Sequence, residues 1–194
     1  MQVSSCRRAM LLGSIALLAG CVRKPQATFK GVDLTGASYA HDFRLNDAQG
    51  RERTLADFRG KAVLLHFGFT MCADVCPTTL ARAARVKEML GDSGERLQVL
   101  LMTLDPQRDT PQVLSAYTAT FDPSFIGLYG TEEQTRAAAD QFKVFYRKVP
   151  MGDTYTIDHS ALSYAFDPEG RIRVALRHDQ SDEDCAHDLR QLFS

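Results

Sequence analysis

The sequence predicts an α/β fold, a mixed β-sheet flanked by helices, on three observations. First, Val63, Leu64, Leu65 and Phe67 make a nearly continuous apolar run of strand length, the pattern of a central strand covered on both faces. After the turn Gly68-Phe69-Thr70 the period changes. Leu80, Ala83, Ala84 and Leu90 recur at roughly helical spacing, with Arg82, Arg85, Lys87 and Glu88 on the polar side. Second, residues 97–104 are another largely apolar run, so strand, helix and strand form a βαβ unit. Third, the runs 161–166 and 172–176 flank the turn Asp167-Pro-Glu-Gly170 and precede a helical stretch, which adds an antiparallel hairpin and a closing helix.

The chain begins with the pattern of an export signal. Arg7 and Arg8 form a basic region, and residues 10–19 form an apolar segment too short to span a bilayer comfortably. Leu18-Ala19-Gly20-Cys21 resembles the bacterial lipobox, in which the cysteine receives a lipid and becomes the first residue after cleavage. The chain therefore divides into a lipoprotein signal peptide (1–20), a polar lipid-anchored tether (21–40) and one domain (41–194). The expected location is the outer, periplasmic face of the bacterial cytoplasmic membrane. The formal net charge of −1 becomes more acidic once Arg7 and Arg8 are removed, which suggests neither nucleic acid nor an anionic surface as a partner. A monomer is expected.

Within the domain, Phe43 and Leu45 alternate with polar residues, and Asp47-Ala-Gln-Gly50 turns the chain back through 51–55, an N-terminal hairpin. The central strand, its helix and the second strand follow. Asp105-Pro-Gln-Arg-Asp-Thr-Pro111 ends that strand and opens a helix to about residue 120, with Asp109 or Thr110 as cap and Pro111 in its first position. Residues 126–129 form a short apolar stretch. Thr131-Glu-Glu-Gln134 starts a helix reaching about Phe142, residues 144–149 suit a strand, and a helix over 182–192 closes the chain.

Of five cysteines, Cys6 leaves with the signal and Cys21 is the lipidation site, so Cys72, Cys76 and Cys185 remain. Cys185 sits at compatible spacing with Leu189 and Leu192 and reads as a small buried hydrophobe. Cys72 and Cys76 stand four apart at the strand–helix junction, a spacing that puts both sulfurs on one helical face. Unpaired N–H groups and the dipole of a first turn favour thiolate there, and Pro77 suits that turn. The pair can serve as a soft metal site, a redox couple or a structural disulfide. Two thiolates leave a metal under-coordinated, and His159, preceded by Asp158 and placed in a loop before the terminal hairpin, is the histidine best placed to join them. The alternative is a loop histidine held by local hydrogen bonds.

Gly68-Phe-Thr-Met-Cys-Ala-Asp-Val-Cys-Pro77, Asp158-His-Ser-Ala-Leu-Ser-Tyr-Ala-Phe-Asp-Pro-Glu-Gly170, the segment 104–111 and the segment 126–134 together resemble the Sco/SenC family. These are membrane-tethered copper proteins of the thioredoxin superfamily. The resemblance implies a thioredoxin-like fold with an extra N-terminal hairpin, copper as the bound metal, and Cys72, Cys76 and His159 as ligands. The implied role is delivering copper to, or reducing the thiols of, the dinuclear copper site in cytochrome c oxidase subunit II or a similar client. Ala73 stands where the family often has proline, Met71 where histidine is common, and His66 where an aromatic residue is common. Met71 and His66 are expected to pack, and Asp158 to support His159. Asp105, Arg108 and Asp109 are expected to cap and pair locally rather than form a partner surface. The donor set favours copper(I) with two thiolates, and copper(II) once imidazole joins; zinc usually wants a fourth donor. The competing function is a thiol-disulfide oxidoreductase, with Cys72 attacking and Cys76 resolving. Against it stand a spacing one residue longer than Cys-x-x-Cys, the lack of tryptophan, and no proline between Met151 and Asp167.

Overall fold

The computed structural model describes residues 28–193. The expected signal peptide, Cys6 and Cys21 lie outside the described residues. In chain order the elements are β1 (Val32–Asp33), β2 (Leu45–Asn46), β3 (Glu52–Arg53), β4 (Ala62–Gly68), α1 (Val75–Met89), β5 (Leu97–Thr103), α2 (Pro111–Ala119) and β6 (Ile126–Leu128). They continue with α3 (Glu132–Gln141), β7 (Tyr146–Met151), β8 (Thr154–His159), β9 (Ser163–Phe166), β10 (Ile172–Leu176) and α4 (Asp182–Arg190). A six-stranded sheet runs β1-β10-β9-β4-β5-β6. Strands β4, β5 and β6 are parallel, while β9, β10 and β1 add antiparallel pairs. This is the mixed sheet between helices that the strand–helix alternation predicts.

The period-2 geometry of β4 sorts its side chains between two cores. Val63, Leu65 and Phe67 point to one side, where they meet Ala138, Ala139 and Phe142 around the α3 end, together with Phe166 and the N-terminal hairpin residues Phe43 and Leu45. Ala62 and Leu64 point to the other, where α1 and α4 supply Leu80, Ala83, Val86, Cys185 and Leu189. His66 lies on the α1 side of the strand, so the same alternation brings it beneath the cysteine helix. The predicted N-terminal hairpin forms as β2–β3, with Leu45 opposite Arg53.

Two expectations change. The polar tether was expected to run to residue 40, but much of that segment is part of the domain. The N–H groups of Lys30 and Gly31 each donate to the Asp188 carboxylate at 2.7 Å, β1 pairs with β10, and Ala40 is buried. Asp188 is wholly buried, and a buried carboxylate without donors is costly. Its position in α4 therefore draws the N-terminal segment onto the sheet edge. His159, expected in a loop before the terminal hairpin, instead ends a strand: residues 154–159 form β8, which pairs with β7 from Tyr146↔His159 to Met151↔Thr154. Gly152, first of the two residues in the connecting turn, supplies the positive φ (60°) that such a tight turn needs.

Candidate metal centre

The site lies where β4 ends. Leu104 N–H donates to the Gly68 carbonyl at 2.7 Å, after which Phe69 turns inward into the core and residues 70–74 loop out before α1 begins at Val75. Cys76 falls in the first turn of α1 and is fully buried; Cys72 lies before the helix, half-buried. Only one of the two cysteines is therefore helical. Pro77 supplies the reason: its ring excludes a helical carbonyl four residues earlier, at Ala73, so the helix cannot extend back to Cys72. The loop returns Cys72 to the helix end all the same, and the Cys76 N–H points at its sulfur at 3.5 Å.

His159 comes from the last position of β8, opposite Tyr146. Along that strand Tyr155, Ile157 and His159 share one face by alternation, with Ile157 buried in the core. The His159 ring stands edge-on to Phe69 at 5.8 Å and to His66 at 6.3 Å, which fixes its tilt. Its Nε2 is 3.4 Å from Cys76 Sγ. The two sulfurs and one imidazole nitrogen all lie within 4.8 Å of one another, the only such group of metal-capable side chains among the described residues. This donor set of two soft thiols and one imidazole suits copper.

The electrostatics are asymmetric. Hydrogen bonding from the Cys76 thiol, opposed by burial and aided by His159 and by the Asp74 and Cys76 N–H groups, lowers the Cys72 pKa to about 3. Cys76 moves the other way, because its proton is held toward Cys72 and because it is buried. Burial works against a charged His159, but the Cys72 partner outweighs it and its pKa rises. The metal-free reduced site is thus a Cys72 thiolate cradled by a thiol and an imidazole. Since a depressed pKa leaves thiolate present at any pH above the folded-state value, the alkylation rate of Cys72 by iodoacetamide should stay nearly flat from pH 8 down to about pH 5. An ordinary thiol would lose reactivity tenfold per pH unit over that range. A Cys72 rate that falls this way would contradict the assignment.

The other residues singled out take varied places. Met71 is 65% exposed, so it does not pack as expected; it stands in solvent beside Cys72. His66 is buried, with Nδ1 3.0 Å from Ser163 Oγ and Nε2 without a partner. Burial lowers its pKa to about 3, so it is a neutral packed imidazole. Asp158 faces away and pairs with exposed Arg147 at 3.3 Å, so its support of His159 is limited to its nearby charge. Cys185 is buried, and burial raises its thiol pKa to about 11. Thr110 caps α2, accepting from Val113 N–H at 3.3 Å, and Arg108 pairs with Asp105. Asp109 is not a local cap, however: its carboxylate accepts the hydroxyls of Thr70 and Thr103 at 2.5 Å each. Thr70 escaped notice in the sequence because a threonine next to a cysteine loop carries no distinguishing pattern.

The SCO1/SenC family profile matches residues 32–194. The chain belongs to the SCO1/SenC family. Among relatives, the SCO2-like protein of Rickettsia felis is 37% identical over 152 residues, covering 77% of this chain and 74% of that protein. The solution structures of apo Sco1 from Thermus thermophilus superpose with a TM-score of 0.76 at 39% identity, over 86% of this chain and 98% of theirs. Bradyrhizobium japonicum ScoI, solved with copper bound, gives 0.70 at 35% identity, over 77% of this chain and 96% of that one. The thioredoxin-like architecture expected for a SCO1/SenC protein is the one observed.

Proposed function

We propose that this SCO1/SenC protein is a copper metallochaperone that holds the ion through Cys72, Cys76 and His159 and assists assembly of the dinuclear copper site of cytochrome c oxidase. The convergence of those three donors within 4.8 Å carries the reading. The copper-bound relative supports the choice of metal. Copper is cargo here, so the site must release as well as bind. Cys76 is the buried donor, while Cys72 and His159 are each partly exposed, so an incoming client ligand reaches the ion past those two. Titration of the reduced chain should give one tightly bound equivalent of copper(I). Copper(II) should show thiolate-to-metal absorption that disappears in Cys72→Ala and Cys76→Ala. Failure of the reduced wild type to bind stoichiometric copper would defeat the proposal.

The contrast between the two cysteines also favours thiol-disulfide exchange as a second activity. The Cys72 thiolate attacks a client disulfide and expels one client thiolate. Cys76, giving up its proton, then attacks the Cys72 sulfur, leaving a Cys72–Cys76 disulfide and a client dithiol. Such a step prepares client cysteines for copper. The chain is anchored through a lipid on Cys21 at the outer face of the bacterial cytoplasmic membrane, a reading that rests on the Leu18-Ala19-Gly20-Cys21 motif. Cys21→Ala should move the protein from the membrane fraction to the soluble fraction, and continued sedimentation with membranes would argue against the anchor.

A further inference from the structure

The two halves of the site come from parts of the chain with little connection of their own: a loop after β4 carries Cys72, and a two-stranded ribbon carries His159. Both are tied to one short segment, the connection from β5 to α2. At its start, Thr103 Oγ1 donates to Asp109 Oδ2 at 2.5 Å and accepts from Asp105 N–H at 2.9 Å. Asp105 and Asp109 are buried, and Asp109 N–H donates to the Asp105 carbonyl at 2.9 Å. The connection is therefore a rigid, internally bonded turn.

From this turn one carboxylate reaches each half of the site. Asp109 takes the Thr70 hydroxyl at 2.5 Å and the Thr70 N–H at 3.1 Å, two residues before Cys72. Asp105 takes the Tyr155 hydroxyl at 2.7 Å. Arg108, itself paired with Asp105, donates to the Tyr155 carbonyl at 2.8 Å and stacks over the Tyr155 ring at 3.7 Å. Tyr155 lies on β8 on the same face as His159.

We propose that the β5–α2 connection is a positioning clamp: Asp109 sets the Cys72 loop through Thr70, and Asp105 with Arg108 sets the His159 strand through Tyr155. The clamp fixes the separation between thiolates and imidazole, and with it the preference of the site for copper(I) or copper(II). This rests on the copper reading above. None of these residues touches the ion; each acts through a ligand-bearing segment, as outer partners of metal ligands do.

The two arms should fail differently. In the full chain in detergent, Thr70→Val frees the cysteine loop, so copper(I) and copper(II) should both bind about tenfold more weakly, with Thr70→Ser restoring the wild-type values. Arg108→Met frees the ribbon, so copper(II) affinity should fall about tenfold, its thiolate-to-copper band should shift, and copper(I) affinity should hold. In the metal-free chain, amide hydrogen exchange should quicken at 70–74 in the first variant and at 154–159 in the second. Wild-type affinities with wild-type exchange in both variants would overturn the clamp, as would exchange quickened uniformly through the domain. A wild type that binds no copper would sink the copper reading alone, and the exchange pattern would still decide whether the clamp exists.

Discussion

His159→Ala should cut copper(II) affinity by more than ~100-fold while weakening copper(I) by no more than ~10-fold, since losing only an outer partner of a ligand typically costs 10–100-fold. The reason is the donor set. Two sulfurs suffice for the softer ion in low coordination, whereas copper(II) needs the harder imidazole. The structure sharpens the expectation, because Asp158, the carboxylate next to His159, is turned toward Arg147 and offers no substitute donor. Parallel titrations of wild type and variant with both ions measure the split directly. Equal loss of both ions, or of neither, would remove His159 from the ligand set.

Gly68→Ala should disrupt the site from beneath. A Cβ built at Gly68 would stand 2.5 Å from Cys76 Sγ and 3.3 Å from Leu101 Cδ1, inside van der Waals contact with a buried sulfur. The sulfur must move or β4 must shift, and overpacking of this kind costs about 1–3 kcal/mol. The expected result is a lower Tm together with weakened copper(I) binding. The double variant Gly68→Ala, Cys76→Ala removes the colliding atom and should regain part of the lost stability, a coupling that a double-mutant cycle reads. An additive double variant would show that Gly68 does not serve to seat the sulfur.

These effects trace to features of unequal legibility. The central strand was readable because burial on both faces makes 63–67 nearly all apolar, and the terminal hairpin because apolar runs flank Asp167-Pro-Glu-Gly170. Of the ribbon β7–β8 only the first strand was legible, in the run 144–149; in β8 Tyr155 and Ile157 alternate with polar residues, but Ile157 alone is buried, too short a pattern to mark a strand. Pro150 also argues against a central strand there, although a two-stranded ribbon leaves each strand a free edge where a missing N–H does no harm. The Gly152-Asp153 pair was the available signal. The cysteine pair was legible by spacing, yet spacing alone placed both sulfurs on the helix. Applying to Ala73 the same rule that puts Pro77 in the first turn would have left Cys72 outside. The bonds from Asp109 to Thr70 and from Asp105 to Tyr155 join residues far apart in sequence, and no local pattern encodes such a pairing.

The short strand β1 has a consequence for solubility. It caps the β10 edge with two residues, while the opposite edge is β6, only three residues long. A sheet that ends this way offers another chain few free backbone groups to pair with. Trimming the protein beyond Asp33 would uncover β10, whose Val174, Ala175 and Leu176 are buried, and would strip the Asp188 carboxylate of its two backbone donors. The product would carry an apolar open edge beside a buried carboxylate left with only His187 Nδ1 and the Gln180 amide as partners, a template for intermolecular β-pairing. Residues just upstream of the recognisable fold thus protect the molecule against aggregation.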